Sequence, residues 1–198
     1  ENGNITTLTN SYVPEETEVT VKKVWDDANN QDGKRPESLT VTLSNGTVVE
    51  LNEDNDWTVK VENLPKYNNG VEIEYTWTEG DMPEGYELAG AAKNGTITTL
   101  TNSYDTEKTE ATVLKVWSDS NNQDGKRPES IDVVLKAGET EVETVTLSDA
   151  NSWTYTKEGL DKYANGVEIN YTWTEDEEGL PEGYELTSSN KLGTVTTL

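Results

Sequence analysis

One stretch of this chain is written twice, and that governs what it can fold into. Val21 to Ser38 reads VKKVWDDANNQDGKRPES, Val113 to Ser130 reads VLKVWSDSNNQDGKRPES, and the segments downstream recur in the same order. Self-similarity over roughly a hundred residues marks tandem copies of one domain, because the period is too long for a solenoid. The tryptophans keep the register: Trp25, Trp57 and Trp77 are answered by Trp117, Trp153 and Trp173.

The repeat is offset at both ends. Asn94 to Tyr104 reads NGTITTLTNSY, and Asn2 to Tyr12 reads NGNITTLTNSY, so residues 1–12 are expected to be the last strand of a preceding repeat. Gly193 to Leu198, GTVTTL, matches Gly95 to Leu100, GTITTL, and stops before the counterpart of Thr101 to Tyr104. The second copy, 110–198, is therefore expected to lack its closing strand. The first copy spans 18–104, with linkers at 13–17 and 105–109.

Two domains of about ninety residues each can bury only modest cores. Small domains often compensate with disulfides or metals, yet the chain has neither cysteine nor histidine. A different staple is worth seeking. The formal charge of −24 argues against nucleic acid or an anionic membrane as partner, since both demand clustered Lys and Arg. No stretch has the length of a transmembrane helix, and no signal peptide is visible. Without histidine the usual general base is missing, which disfavours an enzyme, and no cofactor is implied.

Short Val, Ile, Thr, Tyr and Trp runs alternate with polar residues and are punctuated by Asn, Asp, Gly and Pro. This predicts an all-β sandwich in each copy. In the first, strands are expected at 18–25, 40–43, 48–51, 57–62, 72–79, 86–88 and 97–104, and the second repeats them from Glu110.

Counting by two puts Val21, Lys23 and Trp25 on one face, as it does Val113, Lys115 and Trp117. A lysine is drawn toward an apolar face. The same count aligns Ile73, Tyr75, Trp77 and Glu79, repeated by Ile169, Tyr171, Trp173 and Glu175, and aligns Leu100 with Asn102 and Tyr104. Burial among aromatics disfavours charge, so Lys23 can be a neutral amine while Glu79 holds a proton. A neutral lysine is a nucleophile, and a protonated Glu79 can polarise the Asn102 carboxamide and help expel ammonia. The product is a Lys–Asn isopeptide bond. By the chain-entropy picture used for disulfides, closing so long a loop stabilises by on the order of 4 kcal/mol.

The strings KVWDDANNQDGKRPES, LPKYNNGVEIEYTWTE with PEGY after it, and ITTLTNSY resemble the B-type repeats of Gram-positive collagen adhesins, the Cna B-type domains. The likeness spans both copies and their linkers. It implies two tandem immunoglobulin-like β-sandwiches of reversed topology, serving as a cell wall-anchored stalk on a Gram-positive surface. In that family a lysine just before Val-Trp, a glutamate ending a Tyr-Thr-x-Thr-Glu strand and an asparagine in a closing Thr-Asn-x-Tyr strand form an intramolecular isopeptide bond. The matching positions are Lys23, Glu79 and Asn102. The second copy supplies Lys115 and the catalytic-position Glu175 but no asparagine of its own. Asn10, within residues 5–12 of a neighbouring molecule, would meet Lys115 and Glu175 by strand complementation, giving head-to-tail self-association.

Plainer readings stand beside these. Lys23 could snorkel into an ordinary salt bridge with Glu79. The tryptophans are expected in the core, not stacking sugars. The DGKRP turns, Asp32 to Pro36 and Asp124 to Pro128, read as shaped loops with a solvated basic pair. The acidic runs nearby do not match calcium-loop spacing, so no metal site is assigned. Expected partners are neighbouring repeats of a parent protein. The alternative function is an adhesin module that binds a host protein or glycan through its exposed surface.

Overall fold

A computed structural model of the chain describes Gly3, residues 7–176 and residues 179–198. It divides into two compact units, Glu1–Asn29 with Arg35–Asp105, and Asn30–Lys34 with Thr106–Leu198. Each is described by itself.

The first unit contains β1 (Glu16–Asp26), β2 (Ser38–Leu43), β3 (Val48–Asn52), β4 (Thr58–Pro65), β5 (Tyr67–Asn68), β6 (Val71–Glu72), β7 (Trp77–Glu79), β8 (Glu87–Asn94) and β9 (Ile97–Ser103). One sheet has the order β4-β1-β9-β8 and the other β3-β2-β7, with β5 and β6 forming a separate hairpin. The first and last strands lie side by side and parallel, Lys23 beside Leu100 and Trp25 beside Asn102. The other ladders of the unit are antiparallel.

Alternation produces the sandwich. Val19, Val21 and Lys23 of β1 are buried, while Lys22 between them and Glu18 and Val24 on either side are exposed and Thr20 is half-buried. Leu39, Val41 and Leu43 do the same on β2. The inward sets meet in one cluster with Leu51, Leu64, Leu100, Trp57, Tyr75 and Trp77, and each fully buried Val or Leu stabilises by about 1.5–3 kcal/mol. The tryptophans thus pack as the sequence implies.

The second unit repeats the plan with β10 (Lys108–Leu114), β11 (Ser130–Ala137), β12 (Thr140–Ser148), β13 (Thr154–Asp161), β14 (Tyr163–Ala164), β15 (Val167–Glu168), β16 (Tyr171–Glu175), β17 (Asn190–Leu192) and β18 (Val195–Thr197). Its sheets are β13-β10-β18-β17 and β12-β11-β16. The closing strand expected to be missing is present in shortened form: β18 lies parallel to β10, with Leu114 beside Thr197. Backbone bonds from Leu198 N to Leu114 O and from Val116 N to Leu198 O continue that ladder, because GTVTTL supplies the same extended, Thr-rich pattern as GTITTL.

Other boundaries move. The strands β1 and β10 begin at Glu16 and Lys108, inside segments read as linkers, because Glu16 pairs with Pro65 and Lys108 with Asp161. The single strand expected at 72–79 is interrupted over 73–76, where the chain leaves the β5–β6 hairpin to join β2. The edge strand β8 runs to Asn94, well past the expected 86–88, because β9 offers it a full ladder. Of the segment 5–12, residues 7–12 form no strand, with Leu8 and Tyr12 well exposed. Ile5 and Thr6 lie outside the described residues, as do Glu177 and Glu178.

Candidate functional site

The parallel pairing of β1 with β9 brings a lysine and an asparagine to the inner face of one sheet, while β7 supplies a carboxylate from the other. All three are buried: Lys23 is 3% exposed and Asn102 0%, and the Glu79 side chain 4%. Lys23 Nζ lies 3.1 Å from Glu79 Oε1, an ion-pair distance without hydrogen-bond alignment. The amine also makes long contacts, 3.4 Å each, to the carbonyls of Val24 and Leu100. Lys22, next in sequence, is exposed on the opposite face.

Burial pushes the Lys23 amine below its ordinary value of 10.5, and Glu79 opposes this only in part. Desolvation wins, which favours the neutral, nucleophilic amine. The Asn102 Nδ2 lies 2.8 Å from the Met82 sulfur. Its Oδ1 is buried with no hydrogen-bond partner, and such a group carries a desolvation cost unless something compensates it. A protonated carboxyl or a new covalent geometry would do so.

An aromatic wall covers the amine. The Trp25 ring centroid is 4.5 Å from Lys23 Nζ. Trp57 meets Trp25 edge-on at 5.1 Å, as does Tyr86 at 5.1 Å. Trp57 follows a short 3-10 turn, Glu53–Asn55, and has a left-handed backbone with φ 53° after Asp56 at 50°. That conformation is uncommon for a bulky residue. Here it turns the Trp57 carbonyl onto the Lys23 amide at 2.8 Å.

The second unit repeats the pair more tightly, with Lys115 Nζ donating to Glu175 Oε2 at 2.7 Å and Trp117 at 4.6 Å from the amine. The other carboxyl oxygen, Glu175 Oε1, is buried without a partner. Trp153 has the same left-handed backbone, φ 58°, and its carbonyl accepts from the Lys115 amide at 2.9 Å. The position matching Asn102 falls beyond Leu198. Asn10, the other candidate, is exposed and belongs to no strand.

A family model for the Cna protein B-type domain matches residues 19–103 and 111–197. The chain belongs to the Cna B-type domain family. Collagen adhesin of Staphylococcus aureus is 45% identical over 170 residues, which cover 83% of this chain and 14% of the adhesin. The crystal structure of two B repeat units (B1B2) of the collagen-binding protein Cna of Staphylococcus aureus matches with a TM-score of 0.76 at 37% identity, over 94% of this chain and 50% of that one. The chain therefore spans only a small part of that adhesin's length. Tandem B-type sandwiches are what the family, the likeness and the sheets described above have in common. No helix among the described residues is long and apolar enough to cross a membrane.

One feature of both B-type domains escapes sequence reading. The arginine of DGKRP is not a solvated member of a basic pair. Arg35 donates from Nε and Nη2 to Asp27 at 3.0 and 2.7 Å, and the Tyr86 hydroxyl donates to the same carboxylate at 2.8 Å. Lys34, beside it, is exposed as expected. Burial and the Asp27 carboxylate push the Tyr86 hydroxyl well above its usual range. In the second domain Arg127 and Tyr184 converge on Asp119 in the same way, at 2.8, 2.6 and 3.0 Å. The only sequence signal is the recurrence of Asp, Arg and Tyr at matching places in both copies.

Proposed function

We propose that the two B-type domains are a structural spacer of a cell wall-anchored surface adhesin of a Gram-positive bacterium, with limits near 18–104 and 110–198, and that the first is stapled by an isopeptide bond between Lys23 and Asn102. The supporting observation is the burial of Lys23 at 3.1 Å from Glu79 in the layer that also holds Asn102. The chemistry is self-directed and happens once. Neutral Nζ attacks Cγ of Asn102 while the Glu79 carboxyl hydrogen-bonds Oδ1. Glu79 then relays one proton from Nζ to Nδ2, the Cγ–Nδ2 bond breaks, and ammonia leaves. Glu79 ends as it began. A bond between the parallel first and last strands would carry tension along the covalent bridge and spare the ladders.

Intact mass under denaturing conditions tests this beside a Glu79→Ala variant. The wild type should be lighter than its sequence by one ammonia and the variant should not. An unshifted wild type leaves a salt-bridged sandwich and ends the cross-link reading. A spacer without host affinity that resists extension is expected; an array that binds a host protein or glycan would favour the adhesin-module alternative.

A second reading concerns Lys115 and Glu175. Leu198 lines a groove with Lys115, Trp117, Leu180, Tyr184 and Leu186. Residues 5–12 of another copy repeat the β9 sequence and would extend the β18 ladder, bringing Asn10 to Lys115. Head-to-tail oligomers by size-exclusion chromatography, lost in an Asn10→Ala variant when denatured, are expected. Monomer alone at high concentration would refute it.

A further inference from the structure

The DGKRP loop has no part in the cross-linking chemistry, yet it is built against it twice. In the first domain Asp27 is 2% exposed, follows β1 directly, and gathers Arg35 from the loop and Tyr86 from just before β8. Arg35 Cζ lies 5.9 Å from the Trp25 ring centroid, and Tyr86 meets the same ring edge-on at 5.1 Å. Trp25 is thus gripped by Trp57, Tyr86 and Arg35, and its ring stands over Lys23 Nζ. In the second domain Arg127 is 5.8 Å and Tyr184 5.3 Å from Trp117, which stands over Lys115. A bidentate Arg–carboxylate fork with a tyrosine on the same oxygen holds its members in one orientation far better than a lysine in place of the arginine could.

We propose that Asp27, Arg35 and Tyr86 are positioning residues for bond formation, locking Trp25 over Lys23 so that water stays off the amine until it has reacted. None of the three touches the reacting atoms. They act through Trp25, and the inference rests on the reading that Lys23 attacks Asn102. If the lock opens, water reaches Nζ, the ammonium is re-solvated and its proton is held more tightly. Attack then waits for a proton that the closed site sheds readily. The ionisable group paired with the amine is Glu79 from β7, Asn102 on β9 is neutral, and Arg35 and Tyr86 contact the Trp25 ring with Asp27 bonded to both. Asp27 is matched by Arg35, which leaves Glu79 as the carboxylate that acts on Lys23.

The experiment follows ammonia loss in the newly synthesised full chain. Cell-free translation is stopped, aliquots are held at buffers from about pH 6 to about pH 9, and each is denatured for intact mass at successive times. Variants are Arg35→Lys, Tyr86→Phe and, as a core change outside the lock, Leu39→Ala. Opening the lock should slow bond formation at neutral pH by about ten-fold for each unit by which the amine's proton affinity rises. The gap to wild type should close toward high pH in Arg35→Lys and Tyr86→Phe, while Leu39→Ala keeps the wild-type profile. Wild-type rates and profile in both lock variants, with only a lower melting temperature, would mean that the cluster is structural and overturn the proposal. The same shifted profile in Leu39→Ala would overturn it too, by tracing the shift to general loosening. A wild type that never loses ammonia would overturn the cross-link reading itself, an outcome distinct from the other two.

Discussion

Lys23 and Glu79 reach each other from opposite sheets, one from the central strand β1 and one from β7, and meet 3.1 Å apart with side chains 0% and 4% exposed. Removing one member of such a pair strands the other. Glu79→Ala leaves a buried lysine unmatched at about 3–5 kcal/mol, in addition to the cross-link worth on the order of 4 kcal/mol. Asn102→Ala removes the cross-link and keeps the pair. Chemical denaturation should therefore rank Glu79→Ala below Asn102→Ala, with Lys23→Met/Glu79→Ala recovering much of the difference. Equal stability of the two single variants would mean the pair contributes nothing.

The unreacted amine gives a pH signature. Burial depresses the Lys23 pKa in the folded state from 10.5. Between that lowered value and 10.5 the unfolded chain holds the extra proton, so stability rises with pH across this window and the Lys23 contribution is flat below it. Other groups, Tyr86 among them, titrate nearby, so a difference is needed. Asn102→Ala should gain stability toward pH 10.5 relative to Lys23→Met/Asn102→Ala. The wild type, once its amine has become an amide, should lack that gain. Parallel curves for the two variants would contradict it.

Much of this site was legible because strands repeat every two residues. The count that joined Lys23 to Trp25, and Glu79 to Tyr75 and Trp77, holds even though the strand expected at 72–79 breaks over 73–76. Tyr75 and Trp77 remain buried, and the Tyr75 carbonyl accepts from Lys93 in place of a ladder partner. The break was hidden because Val, Ile, Tyr and Trp favour strands wherever they sit, and only the β5–β6 hairpin draws the chain aside. β8 exceeds the expected 86–88 for the opposite reason: ELAGAAKN has weak strand character, and its ladder is imposed by β9. The Asp27–Arg35 fork carries no periodicity, since it is made by a loop.

Trp57 sets local strain against burial. Its left-handed backbone, φ 53°, costs a non-glycine residue about 1–2 kcal/mol, which glycine would relieve. Losing the buried ring costs about 3–5 kcal/mol. Burial wins, so Trp57→Gly should lower stability by about 1–4 kcal/mol, whereas Asp56→Gly, at an exposed position with φ 50°, should be neutral or raise the melting temperature. Thermal unfolding of the two variants checks the sign of each.

The two forks differ in cover, and that predicts different responses to acid and salt. The Asp119 side chain is 10% exposed and Asp27 1%. In the first domain Tyr104 packs on Tyr86 at 5.1 Å and thickens the cover. The Arg127 fork holds the Asp119 carboxyl well below its ordinary 3.8. A depressed carboxylate contributes stability that is present above the unfolded value and lost as pH falls through the folded one, so this contribution should fade only below about pH 3.8. Asp119→Asn should remove that acid-side slope, read by tryptophan fluorescence, since Trp117 reports on the fork. Salt screens partly exposed pairs more than buried ones. Raising ionic strength should therefore shrink the stability difference between wild type and Asp119→Asn while leaving that for Asp27→Asn nearly unchanged, and an equal response in both would mean that the extra cover over Asp27 has no electrostatic consequence.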